Sequence, residues 1–165
     1  MRHPEVAAFL AVLLCLGGVH AQEPETYVLR QPVSNRETIV YTRVIRVDDQ
    51  RHLFHVQDYF EDGRLQMDAF YSAFDKRVKE ELQCNYRSNT KEGPYTEWYR
   101  NGRKAFEGRY ARGRLSGAST SWYESGQKEA EQNWLDGQLH GEVRYWSERG
   151  DLQFESTFDR GMNQR

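Results

Sequence analysis

Trp98-Tyr99-Arg100-Asn101-Gly102-Arg103-Lys104-Ala105-Phe106-Glu107 is a stretch that returns twice. It recurs as Trp122-Tyr123-Glu124-Ser125-Gly126-Gln127-Lys128-Glu129-Ala130-Glu131 and as Trp146-Ser147-Glu148-Arg149-Gly150-Asp151-Leu152-Gln153-Phe154-Glu155. The spacing is 24 residues each time, and glycines keep it at two further turns, Gly93, Gly117, Gly141 and Gly113, Gly137, Gly161. A fixed period of this length marks a tandem repeat, because each unit must bury its apolar face against its neighbours. Within a unit, short runs of alternating residues are separated by turn chemistry, which is the signal of strands and hairpins. The expected fold is all-β: an elongated single-layer antiparallel meander of tandem 24-residue β-hairpin repeats.

Asn101-Gly102 favours a two-residue type I′ turn, whose central residues both take positive φ. That turn would set Arg100 opposite Arg103, Tyr99 opposite Lys104 and Trp98 opposite Ala105. Side chains then follow by parity. Tyr95, Tyr99, Phe106, Tyr110, Tyr123, Ala130, Trp134, Tyr145, Leu152, Phe154 and Phe158 fall on an apolar face. Thr96, Trp98, Glu107, Thr120, Trp122, Glu131, Arg144, Trp146 and Glu155 fall on a polar one. Tyr95 also comes opposite Gly108, where a ring can cover bare backbone. A three- or five-residue turn would mix the two columns. The second connection, Arg112 to Gly117 and its copy Asp136 to Gly141, reads as a longer glycine-framed turn.

Upstream the period blurs. Phe74, Leu82 and Tyr86 lie 24 residues before Trp98, Phe106 and Tyr110, so residues 69–92 read as a degenerate unit. Glu37 to Val47 and His52 to Phe60 alternate as strands around a turn at Asp48-Asp49-Gln50, and Glu61-Asp62-Gly63 opens another. The organisation is thus a signal peptide over 1–21, a loose leader over 22–36, strands with a degenerate repeat over 37–92, and three full repeats over 93–165. The signal peptide has Arg2, an apolar run from Ala7 to Leu16 and a small-residue site ending at Ala21, which predicts export to the periplasm or the exterior with cleavage before Gln22. The run is shorter than the roughly 20 residues of a spanning helix, so no integral membrane span is expected after cleavage.

Cys84 would be the one cysteine left after cleavage, so no intramolecular disulfide is available; it alternates with Leu82 and Tyr86 as a small buried hydrophobe. The chain carries 23 Lys and Arg against 25 Asp and Glu. That balance offers no basic stripe for nucleic acid or anionic lipid.

The pattern Trp-Tyr-x-x-Gly, then a glutamate, an aromatic and x-x-Gly-x-x-x-Gly, together with Asn101-Gly102 and Leu139-His140-Gly141, resembles the MORN-repeat variant of bacterial YwqK-like proteins. The resemblance covers roughly the last hundred residues, three good units and one poor one. It implies hairpin stacks that serve as binding or scaffolding modules, and, because some relatives are described as antitoxins, neutralisation of a protein as one possibility. The export signal departs from what a cytoplasmic antitoxin needs. Lipid binding, suggested for other MORN proteins, is weakened by the balanced charge.

No nucleophile elbow, phosphate loop or paired-cysteine metal motif is present. His52 and His55 sit at an odd spacing, which on a strand sends them to opposite faces and away from a shared metal. His140 lies in the recurring turn and reads as turn chemistry. Glu107, Glu131 and Glu155 stand two strands apart, roughly 9.6 Å, a distance compatible with paired carboxylates for sugar hydrolysis. A residue present in every unit serves the repeat first, with Thr96, Thr120 and Arg144 as cross-strand partners. The sharpest binding candidate is the column Trp98, Trp122, Trp146 with those glutamates beside it, able to stack sugar rings or clamp an extended peptide. Its bland counterpart is three rings covering the backbone. The expected function is non-catalytic recognition or scaffolding of another protein, or of a glycan or peptide, in the cell envelope, with no cofactor or metal. The alternatives are a purely structural surface component, an immunity-like neutralising binder, or an envelope hydrolase using the glutamates.

Overall fold

The computed structural model describes residues 23–34, 37–73 and 90–164. The expected signal peptide, Cys84 and most of the degenerate unit, residues 74–89, lie outside them. The described residues form thirteen strands and no α-helix. They are β1 (Glu25–Ser34), β2 (Glu37–Asp48), β3 (Leu53–Phe60), β4 (Leu65–Tyr71), β5 (Lys91–Trp98), β6 (Lys104–Ala111), β7 (Arg114–Leu115), β8 (Gly117–Trp122), β9 (Lys128–Leu135), β10 (Gln138–Leu139), β11 (Gly141–Trp146), β12 (Leu152–Asp159) and β13 (Met162–Asn163). All join one open antiparallel sheet in chain order, with β7 and β10 pairing back onto β6 and β9. The meander expected from the sequence is present. Residues 25–34, expected to be loose, instead form β1 and pair along β2.

The turns exchange the types expected of them. Gly102 N–H donates to Tyr99 C=O and Tyr99 N–H to Arg103 C=O, so the loop holds three residues, and only Gly102 of them has positive φ. This is a type I turn closed by a left-handed glycine. Trp98 therefore pairs with Lys104, not Ala105, and Tyr99 faces Arg103, not Lys104. The register then shifts by one between Trp98 and Glu97, leaving Ala105 as an extra residue. That bulge restores the expected pairing from there inward: Thr96 with Glu107 and Tyr95 with Gly108. The same turn and shift recur at Tyr123–Gln127 and Ser147–Asp151, with Glu129 and Gln153 as the extra residues. They also occur at Phe60–Arg64, with Gln66 extra, so β3 and β4 form a hairpin of the same design, its glycine 39 residues before Gly102.

At the other end, Arg112-Gly113, Asp136-Gly137 and Arg160-Gly161 have positive φ at both positions, and Ala111 pairs with Arg114. These are the two-residue type I′ turns, where a longer connection was expected. The extra length lies beyond them. Gly117 and Gly141, at φ 78° and 90°, kink the chain between β7 and β8 and between β10 and β11.

Because paired residues share a face, one side of the sheet collects Ile45, Val56, Met67, Ala69, Tyr71 and Tyr95 as a core, with Phe54, Phe106 and Tyr110 packed on it. Burial of each large side chain stabilises by about 1.5–3 kcal/mol. Phe106 lies over Gly108, where a Cβ would come within 3.1 Å of its ring; Tyr95 is the backbone partner there but not the nearest ring. Further along, the buried residues of this face are small, Ser119, Ala130, Val143 and Ser156. Burial, followed by the Glu97 carboxylate that accepts its hydrogen bond, pushes the Tyr95 phenol far above its ordinary value, so it remains a donor.

The same face holds an ion pair. Arg43 Nε and Nη2 donate to Asp58 Oδ1 and Oδ2 at 2.7 and 2.5 Å, both residues essentially without exposure. Removing one partner of such a pair strands the other charge, whereas replacing both with apolar groups is often neutral. Asp58→Ala is expected to lower unfolding free energy by about 3–5 kcal/mol in urea titration, and Arg43→Met with Asp58→Leu to lower it by less. A single-variant loss below about 1 kcal/mol would contradict this role.

Candidate functional site

The outer face is built by the turn-and-bulge device. Putting Lys104 rather than Ala105 opposite Trp98 brings that lysine onto the tryptophan side, where it ion-pairs with Glu107 and lies 5.9 Å from the Trp122 ring centre. Lys128 repeats the arrangement, ion-pairing with Glu131 and lying 5.6 Å from the Trp146 ring centre. Lys104 and Lys128 thus link successive hairpins through a carboxylate and an aromatic face. The third unit has Leu152 there, paired with Trp146 and half-exposed, so Leu152 belongs to the outer face and not the inner one expected for it.

The three tryptophans stand in register on this face and are each partly exposed. A shallow open recess beside Trp122, between the turns of adjoining hairpins, is lined by Arg103, Lys104, Ser125 and Gly126. Hydrogen bonds hold the hairpins one above another. Tyr99 Oη donates to Trp122 C=O at 2.7 Å, and Tyr123 Oη to Trp146 C=O at 2.8 Å. Asn101 Nδ2 donates to Glu124 C=O, and Arg103 donates to Ser125 C=O. At the opposite end Gly113, Gly137 and Gly161 N–H donate to Lys91, Leu115 and Leu139 C=O.

Each glutamate of the series has its own cation. Glu107 and Glu131 take Lys104 and Lys128; Glu155 takes Arg144 Nε at 2.6 Å. Arg144 also holds Glu142 at 2.9 Å and reaches Glu131 at 3.9 Å, and the hydrogen bond to Glu155, followed by the Glu142 charge, raises its pKa further. The expected backbone partners, Thr96, Thr120 and Arg144, stand opposite the three carboxylates. Arg144 links Glu155, and at longer range Glu131, across strands, whereas Lys104 and Lys128 pair with Glu107 and Glu131 three residues along their own strands.

Sequence reasoning missed that the carboxylate row continues upstream. Asp68 occupies the place of Glu107 in the β3–β4 hairpin, and His55 Nε2 lies 2.9 Å from its Oδ1 while Gln57 Nε2 donates to its Oδ2 at 2.8 Å. His55 stacks on Phe70 with ring centres 4.5 Å apart, Arg51 lies over that ring, and Arg46 donates to Gln57. Only the Gly63 hairpin, out of period, could have signalled it. His52 sits in the preceding turn with φ 54°, away from this cluster's strand positions. His140 lies 3.2 Å from Asp159, both well exposed, and its N–H closes onto Asn133 C=O. Among the described residues no group of three or more potential ligands is placed to hold a metal ion.

Burial would raise the Asp68 pKa, but the hydrogen bonds from His55 and Gln57, with the His55 and Arg46 charges, outweigh it and hold the carboxyl below its ordinary value. A depressed carboxyl contributes stability above its unfolded pKa of about 3.9 and loses it as pH falls through the folded value. Asp68→Asn is therefore expected to cost about 1–2 kcal/mol at neutral pH. Wild type and variant should converge in stability as pH is lowered below about 4 in denaturant titrations. A constant difference across that range would remove the charge from the account.

Residues 115–136 and 139–160 match the family model described as MORN repeat variant. No curated protein and no solved structure matches the chain. The matched segments run from β7 through β9 and from β10 through β12, each a hairpin with its kink glycine and three-residue turn, and residues 91–112 precede them with the same geometry. No helix among the described residues is long and apolar enough to cross a membrane. Repeats of this type are generally non-catalytic modules that bind proteins or membranes, and residues 115–136 and 139–160 are similar to two tandem copies of the MORN repeat variant.

Proposed function

We propose that the chain is a non-catalytic recognition or scaffolding module whose binding surface is the outer face around Trp98, Trp122 and Trp146, with Glu107, Glu131 and Glu155 setting the charge beside it. The observation that carries this reading is the row of three partly exposed indoles in register on a face whose carboxylates each have a cation. Aromatic rings supply the area and the charged groups around them the selectivity, the usual division of labour at an interface. Catalysis by the glutamates finds no support in their surroundings, since each carboxylate is ion-paired with a lysine or arginine in an arrangement that the repeat itself uses. The export signal read in residues 1–21 supports a place in the cell envelope or outside the cell, with a protein, glycan or peptide as partner.

A purely structural role for the column rests on Lys104 and Lys128, which cover the rings of Trp122 and Trp146. The two readings part on one variant. Trp122→Ala in the full chain is expected to lose a partner captured by the wild type from envelope extract while still unfolding in a single cooperative transition. Unchanged capture combined with a marked fall in melting temperature would make the column structural and send the search to the sheet edges.

A further inference from the structure

The three outer tryptophans differ from the fourth in what the indole N–H does. Trp134, on the inner face, donates Nε1–H to Ser119 Oγ at 2.8 Å. Trp98, Trp122 and Trp146 donate to no protein acceptor among the described residues, and none of their ring nitrogens is buried. An indole N–H is a donor only. The outer face thus presents three unspent donors on three aromatic rings, at one position per hairpin.

Equivalent positions in successive hairpins are two strands apart, about 9.4–9.8 Å. A ligand lying across the strands and meeting each station alike must repeat at that distance. An extended β-strand brings a side chain to the same side about every 6.6–6.8 Å, and three of its residues, although near 10 Å, reverse the face. An α-helix repeats a face after seven residues, about 10.5 Å, and gains close to 2 Å of error over two stations. A polyproline II helix has three residues per turn at about 3.1 Å each, or about 9.3 Å, and slips by about 1 Å or less over the same two stations. Its carbonyls are not used internally and accept from outside donors, and its pyrrolidine rings pack on aromatic surfaces. Charge narrows the class further. Lys104, Glu107, Lys128, Glu131, Arg144 and Glu155 alternate in sign along the column, which matches a neutral or mixed-charge chain and opposes a uniform polyanion.

Building on the recognition reading above, we propose that this column binds a proline-rich segment of another protein in the polyproline II conformation, one turn per hairpin. Each indole N–H donates to a ligand carbonyl, and a pyrrolidine ring enters the recess formed by Trp122 with Arg103, Lys104, Ser125 and Gly126.

The test titrates the full chain with an oligoproline peptide of about nine residues, three turns, following the indole N–H resonances by NMR. The outer three signals are expected to move together and the Trp134 signal to stay. Trp122→Phe keeps a ring and removes the donor, and should weaken binding about 5–10-fold with an unchanged far-UV spectrum, whereas Trp134→Phe should leave affinity as it was. Outer resonances unmoved at millimolar oligoproline overturn the proposal. Parallel titrations with a β-linked oligosaccharide and with a proline-free extended peptide separate the two levels of the argument. If either moves the outer signals where oligoproline does not, the column remains a recognition site with a different ligand class and the polyproline assignment fails. If none moves them and Trp122→Ala leaves envelope capture unchanged, both readings fail.

Discussion

Everything on this sheet depends on parity, the rule that a strand changes face at every residue. A three-residue turn adds an odd residue and would by itself send the next strand's aromatic side chains to the wrong face. The chain corrects this within two residues, by letting Ala105, Glu129 and Gln153 bulge, so that Phe106, Ala130 and Phe154 return to the core side. The correction has a useful by-product. The one residue between turn and bulge, Lys104 or Lys128, is placed outward beside the tryptophans, where an uninterrupted two-residue hairpin would have turned it inward. Bulges commonly re-aim a side chain in this way.

With parity secured, successive units stack through a small set of repeated bonds. The phenol of one hairpin reaches the tryptophan carbonyl of the next, and the glycine N–H of each type I′ turn reaches back to the residue that opens the preceding unit. Each bond contributes about 1 kcal/mol, and contacts run mainly between neighbours, so stability accumulates along the array rather than through one central core. In the upstream hairpin the phenol bond is missing, although Arg64 donates to Arg100 C=O as Arg103 does to Glu124 C=O. Its equivalent of Tyr99 is Phe60, which has no hydroxyl, and the sheet there is held by the apolar cluster around Val56 and by the Arg43–Asp58 pair.

The period made the strands, their order and most of the inner face legible from sequence alone. What it left hidden depended on residues far apart in the chain or on a choice between turns of similar composition. Asn101-Gly102 suits a type I′ turn, yet Arg112-Gly113 and Asp136-Gly137 adopt it, because hairpin ends are chosen by how they dock on the neighbouring unit as well as by local preference. Gly126 illustrates the point: a Cβ there would come within 3.1 Å of the Arg103 side chain, a contact that belongs to two different hairpins. Arg43 alternates with Tyr41 and Ile45, and Asp58 with Val56 and Phe60, but only the register across the turn at Asp49–His52 brings the two together as a buried pair. The tryptophan column was legible because it repeats; the His55–Asp68 cluster was not, because its hairpin lies 39 residues upstream of Gly102 and not 24.

The two faces therefore use their polar groups differently. On the inner side, Trp134 is bonded to Ser119, Tyr95 to Glu97 and Arg43 to Asp58, so few groups remain for an outside molecule. On the outer side the charges are matched within and between hairpins while the indole donors are left over. Matched charges carry little net attraction, which leaves shape, ring contact and spacing to discriminate among ligands. Spacing is the strictest of these, because backbone hydrogen bonds fix the interval between strands and two strands make one station. On the proposed reading such a surface works as a ruler: each station adds a modest increment, and the increments add only for a chain whose own repeat keeps step with the sheet.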